Sequence, residues 1–161
     1  MHNKIQLQYI ENDIKALIES LSHNIFKELK HRNPCCPIPQ RKRIIEINNI
    51  EELRSYLSAC RVVFLLVYTT YCPYCRMFKP VFYEVAKQYN EYALFASVNA
   101  DYVPEIALEY EVLTAPITLV FINGRLADAL IGYIPPQYLK EYIEHVLYRT
   151  KCIEMMKGRS H

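Results

Sequence analysis

No stretch of this 161-residue chain is apolar for long. The longest such run, VVFLLVY at residues 62–68, is far short of the roughly 18–20 residues a helix needs to cross a bilayer, so no membrane span is expected. A secretory leader is not expected either, because Glu11, Asp13, Lys15 and Glu19 interrupt the apolar segment a leader requires. Charge of one sign is also lacking: 19 Lys and Arg against 17 Asp and Glu leave a formal +2. That balance is too small to draw nucleic acid, and the one basic cluster, Arg41-Lys42-Arg43, reads as the end of a linker. Only one Cys-x-x-C occurs, Cys72 to Cys75, with neither a second pair nor a paired-histidine spacing. A four-ligand structural zinc site is therefore not expected. These absences leave a cytoplasmic protein with no membrane, nucleic-acid or metal partner as the expectation.

What is present fits one packed domain with an extension, since 52% of the residues are hydrophobic. Residues 1–31 carry one helical stripe, Leu7, Ile10, Ile14, Leu17, Leu21, Ile25 and Leu29, three or four apart with charges between. Its apolar face needs a cover. Three covers stand open: the neighbouring domain, a second copy (a homodimer through residues 5–29), or another partner or membrane surface. Residues 32–43 hold Pro34, Pro37 and Pro39 and read as a stiff, extended linker.

From residue 44 to 150 strands and helices alternate as β-α-β-α-β-α-β-β-α. IIEI at 44–47 is a short strand, and the helix at 49–60 opens on Asn49 with Glu52 three residues on, a capping-box pattern. The run at 62–68 has the continuous apolar character of a strand buried on both faces. A helix is expected over 73–90, a strand over 92–99, and a short helix capped by Asp101 and running to about Tyr110. Residues 116–122 and 125–132 flank Asn123-Gly124, a strong hairpin signal because that pair accepts the left-handed turn. Pro135-Pro136 opens the last helix, and residues 151–161 form a tail.

The chemistry concentrates at TYCPYCRMFKP, residues 70–80. A permanent staple between Cys72 and Cys75 would close too small a loop to gain much chain entropy. A redox pair suits the position better. Cys72 follows an apolar strand where a helix begins, so its sulfur faces unpaired N–H groups that favour thiolate, the attacking species. Pro73 fits the first helical position, and Cys75 lies about one turn on. Arg76 and Lys79 add local positive charge, read as a solvated helix face.

With these features in register, residues 44–148 resemble the thioredoxin superfamily, thioredoxin more than glutaredoxin. Pro80, five residues past Cys75, sits where that family has a helix-kinking proline; Asp101 and Pro104 match its third helix; Pro116 lies 44 residues beyond Cys72, the spacing of its cis-proline. Ile122-Asn123-Gly124 and Gly132 complete the match. The resemblance implies an α/β thioredoxin fold, a central mixed sheet flanked by helices, with the amphipathic extension added. It implies a protein-disulfide oxidoreductase in which Cys72 attacks, Cys75 resolves, and Tyr71, Pro73, Tyr74, Ala115, Pro116 and Gly132 contact substrate. Its implied partners are disulfide-containing proteins and a disulfide reductase as electron donor, with no cofactor beyond the Cys72–Cys75 couple.

Departures from the family are specific. Tyr71 stands where it usually has tryptophan, and the chain has no tryptophan at all. The Pro-Tyr dipeptide is of glutaredoxin type and tunes the potential, which keeps glutaredoxin, isomerase and oxidant activities as alternatives. The FINGRLADALIGY stretch nevertheless follows thioredoxin, with Asp128 read as a solvent-facing hairpin residue. The family's buried aspartate aligns with Leu66, and the lysine beside it with Ser97. A binding module recruited through the N-terminal helix is the reading of a different class. For Cys35, Cys36, Cys60 and Cys152, three readings remain: idle thiols, a staple from the adjacent pair to Cys60 or Cys152, or electron relay to Cys72–Cys75.

Overall fold

The computed structural model describes residues 3–31, 35–38 and 43–154. Two compact units emerge, Met1–Arg32 and Asn33–His161. The first is a single helix, α1 (Asn3–His31), about 43 Å long at 1.5 Å per residue. Leu7, Ile10, Ile14, Leu17, Leu21 and Ile25 are each more than half exposed. The side chain of Leu29 lies outside the described residues, as do Pro34, Pro39, Arg41, Lys42 and the tail beyond residue 154.

The second unit is a five-stranded sheet with helices on both faces. Its elements are β1 (Ile45–Glu46), α2 (Ile50–Ala59), β2 (Val62–Tyr68), α3 (Pro73–Ala86), β3 (Leu94–Asn99), α4 (Pro104–Glu109), β4 (Ile117–Ile122), β5 (Arg125–Ile131) and α5 (Pro136–Arg149). Strand order is β1-β3-β2-β4-β5. β1, β3 and β2 run parallel, whereas β4 and β5 join antiparallel. The order follows from the connections: α2 and α3 supply the crossovers that parallel neighbours need, and a two-residue turn suffices between β4 and β5. Asn123 and Gly124 adopt φ of 51° and 78°, the left-handed pair that such a turn demands.

Strand alternation divides the core. Phe64, Leu66 and Phe95 face α3 and α5, where Phe78, Phe82, Leu139 and Ile143 meet them. Val63, Leu65, Val67 and Leu94 face the other way, toward Leu53 and Leu57 of α2 and Ile106 of α4. Both layers exist because β2 is the central strand and is buried on both sides, which is why its sequence is apolar without alternation.

Local signals hold with three adjustments. Asn49 caps α2 by accepting from the Glu52 N–H, but the Glu52 carboxylate reaches back to the N–H of Asn48 at 2.8 Å, one residue earlier than in a capping box. α3 stops at Ala86 rather than 90, because the chain tightens into turns there, Gln88 and Tyr89 bonding the carbonyls three residues back. Asp101 caps nothing: α4 starts at Pro104 with Val103 as its cap, since a proline at the first helical position fixes where the helix begins.

The adjacent cysteines resolve differently from any single staple. Cys35 bonds Cys152 and Cys36 bonds Cys60. Neighbouring side chains in extended chain point to opposite sides, and Cys35 joins the core layer of α3 and α5 while Cys36 joins that of α2. The Arg61 N–H donates to the Cys35 carbonyl at 2.6 Å, locking the same segment to the start of β2.

Candidate active site

β2 ends at Tyr68 and the chain must cross to α3 over the C-terminal edge of the sheet. That crossing is tied down by β3 and the loop after it. Asp101 accepts from the Thr70 N–H at 2.8 Å, and the Asn99 amide donates to the Thr70 hydroxyl at 3.1 Å. The aspartate expected as a helix cap therefore holds the segment that delivers Cys72.

Cys72 is the N-cap of α3, with Pro73 at the first helical position. Its Sγ accepts from the Cys75 N–H at 3.2 Å and is bonded to Cys75 Sγ. One orphan N–H of the helix terminus thus points at the sulfur, alongside the positive end of the helix dipole. Cys72 is 8% exposed and Cys75 3%, so Cys72 is the less buried residue of the pair. Tyr71 and Tyr74 stand out around them, at 90% and 64% exposure.

The Ala115–Pro116 peptide is cis, and the Ala115 carbonyl oxygen lies 3.6 Å from Cys72 Sγ. Gly132, at φ 84°, donates its N–H to the Pro116 carbonyl at 2.8 Å. A Cβ there would meet nothing within 4 Å, so glycine is favoured by its backbone angle and not by crowding. The structure brings together at one edge Cys72, Cys75, Pro73, Ala115, Pro116 and Gly132, with Tyr71 and Tyr74 on the α3 side.

The family model for thioredoxin matches residues 45–145. This chain belongs to the thioredoxin family. Among its relatives, the thioredoxin of Mycoplasmoides gallisepticum is 36% identical over 98 residues, covering 61% of this chain and 97% of that one. The M-type chloroplastic thioredoxin of Spinacia oleracea is 24% identical over 139 residues, 86% of this chain and 77% of its own. A mutant thioredoxin from Halobacterium salinarum superposes with a TM-score of 0.61 at 25% identity, over 67% of this chain and 94% of that one. The protein is accordingly a thiol–disulfide oxidoreductase of thioredoxin fold, with no helix among its described residues long and apolar enough to cross a membrane.

In this thioredoxin-family domain the polar groups behind the dithiol are rearranged. Leu66 is fully buried and pairs with Ser97 of β3 and Thr118 of β4. Ser97 is fully buried too and donates to Glu46 Oε2 at 2.5 Å. Because its one proton goes there, Tyr83 of α3 donates to Ser97 Oγ, at 2.8 Å. Tyr68 donates to Glu46 Oε1 at 2.6 Å, and the Lys79 ammonium sits over the Tyr68 ring, 3.8 Å from its centroid. Burial first, and then the bond to Glu46, pushes the Tyr68 hydroxyl pKa up. Burial alone would lower Lys79, but Tyr68, Tyr83 and Glu46 together outweigh it and raise its pKa. Lys79 is thus half-buried in a network instead of belonging to a solvated face. Sequence reasoning missed Glu46 and Tyr83, because only the parallel register of β1 on β3 sets Glu46 beside Ser97.

Of two other expectations, one gains a partner and one falls. Asp128 is exposed on β5, but it accepts from Tyr142 of α5 at 2.6 Å and so ties strand to helix. Electron relay from Cys35 or Cys36 to Cys72–Cys75 within one molecule does not fit. Cys60 and Cys72 flank opposite ends of β2, roughly 20 Å of strand, and exchange requires sulfur to touch sulfur.

Proposed function

We propose that the protein reduces disulfides of other proteins, with Cys72 as nucleophile and Cys75 as the resolving thiol. The observation that carries the assignment is Cys72 at the N-cap of α3, its sulfur receiving a helix N–H and the residue less buried than Cys75. In the reduced protein, the Cys72 thiolate attacks one sulfur of a substrate disulfide. The substrate S–S bond breaks, its departing sulfur takes a proton, and a mixed disulfide remains. Cys75, as thiolate, then attacks Cys72 Sγ and releases the second substrate thiol. Two electrons have passed to the substrate and Cys72–Cys75 is oxidised, so an outside disulfide reductase must return them. No further cofactor enters this cycle.

Substrate contact is assigned to the surface around the sulfur. Tyr71, Pro73 and Tyr74 offer exposed apolar faces, and half-buried Ala115 and Gly132, on either side of the buried cis Pro116, border the place of an extended segment. We place the protein in the cytoplasm, where such a couple serves electron transport and thiol balance. That placement asks Cys35–Cys152 and Cys36–Cys60 to persist in a reducing compartment.

The test is a disulfide-reduction assay on Cys72→Ser and Cys75→Ser proteins. Cys72→Ser is expected to fall to the buffer background, and Cys75→Ser to accumulate mixed disulfides visible on non-reducing gels. Retained turnover in Cys72→Ser, or mixed disulfides through Cys75 instead, would reverse the roles.

A further inference from the structure

The apolar stripe of α1 has a repeat that its three- and four-residue gaps conceal. Leu7, Ile10 and Ile14 recur eleven residues later as Ile18, Leu21 and Ile25. An eleven-residue repeat gives 3.67 residues per turn, close to a straight α-helix, so the six side chains stay in line along the helix instead of drifting around it. All six are exposed by 51–59%. Leu17 and Phe26 flank the line at 62% and 72%.

We infer that this line is the seam of a homodimer, in which α1 of one copy packs along α1 of another. Area supports a second copy. Six half-exposed Leu and Ile side chains can each give up at most on the order of 100 Å², so complete burial of the seam on two helices removes up to about 1,200 Å², the lower edge of the range of a specific interface. Charge argues against a lipid surface. Lys4, Lys15, Lys27 and Lys30 are balanced by Glu11, Asp13, Glu19 and Glu28, whereas a helix that lies on anionic lipid carries an excess of Lys and Arg on its polar side. The narrow seam fits a helix partner of like shape, and the regular repeat matches a copy of itself at every layer. The dimer presents two dithiol sites per particle.

The experiment is light scattering behind size exclusion on the full, oxidised chain at several concentrations, repeated on an Ile14→Glu/Leu21→Glu protein. Wild type is expected at twice the chain mass. The seam variant should run at the single-chain mass with disulfide-reductase turnover per site unchanged. An Asn12→Glu control, off the seam, should remain a dimer. A wild type that stays at the single-chain mass at 100 µM and above overturns the inference, as does a seam variant that is still dimeric. A monomer that floats with phosphatidylcholine–phosphatidylserine vesicles also overturns it, in favour of a lipid surface. One that neither dimerises nor floats overturns it in favour of the neighbouring domain of the same chain or a different protein.

Discussion

Cys72 and Cys75 differ by a single turn of helix and yet meet different surroundings. The N-cap position gives Cys72 an N–H donor and a path to solvent, while Cys75 is turned into the protein. Behind them the residue-scale chemistry has been redistributed. Leu66 brings no charge to the middle of the sheet, and the nearest described carboxylate in that row is Glu46, reached through Ser97. Thr118, on the other side of Leu66, is fully buried, and its hydroxyl has no hydrogen-bond partner among the described residues. A buried hydroxyl left unpaired costs more than an apolar group of the same shape. Thr118→Val is therefore expected to stabilise the protein by about 1 kcal/mol, read as a higher urea midpoint at unchanged slope. A lower midpoint would mean that the hydroxyl is paired in solution.

At the scale of elements, α3 and α5 are held to the sheet by core packing plus a small number of polar ties. For α5 the core part is Leu139, Ile143, Val146 and Leu147, and one tie is the Tyr142–Asp128 bond to β5. Burial first, and then that bond, raises the Tyr142 hydroxyl pKa well above its ordinary value. In the unfolded chain a tyrosine loses its proton near pH 10. In the folded protein Tyr142 still holds its proton at that pH, so above it the native state binds more protons than the unfolded one. Stability then falls as pH rises. The Tyr142 contribution is complete below about pH 10 and is lost progressively above it. Denaturant titrations at pH 9 and at pH 11 should show a smaller loss for Tyr142→Phe than for wild type. An equal loss in both proteins would place the alkaline sensitivity elsewhere. Being partly exposed, Tyr142 is expected to account for only a fraction of the wild-type slope.

For the whole molecule, the two disulfides outside the active site close long loops. Cys36–Cys60 spans 24 residues and Cys35–Cys152 spans 117. By chain entropy alone these are worth about 3 and about 5 kcal/mol respectively. Paired Cys→Ala replacements should lower the melting temperature in that order, Cys35/Cys152 more than Cys36/Cys60. All four of these cysteines are buried to much the same degree as Cys72 and Cys75, so what sets the site disulfide apart is that it must open in turnover while the other two close long loops. Mild reductant followed by alkylation of the native protein should label two thiols, Cys72 and Cys75, and full reduction in denaturant six. Labelling at Cys36 or Cys60 under the mild condition would show that the base of the domain opens as readily as the site. Much of this protein was legible in the chain: Pro80 and the spacing to Pro116 through the family resemblance, and the alternation of strands and helices, the Asn123-Gly124 hairpin and Pro73 beside Cys72 from the residues themselves. The last three are local, because propensity, turn geometry and the 3.6 and 2.0 periods act over a few residues and leave their marks in order. The stripe of α1 is of the same kind, written in the chain whatever covers it. What tertiary structure alone decided is who meets whom across the sheet. Asp101 left its expected cap to hold Thr70, Lys79 folded over Tyr68, Glu46 came beside Ser97, and Cys35 and Cys36 parted to Cys152 and Cys60. Each of those meetings joins residues from different elements, many far apart in the chain. Which of them meet follows from strand order and register, and burying two apolar faces at once is the physical demand that sets both.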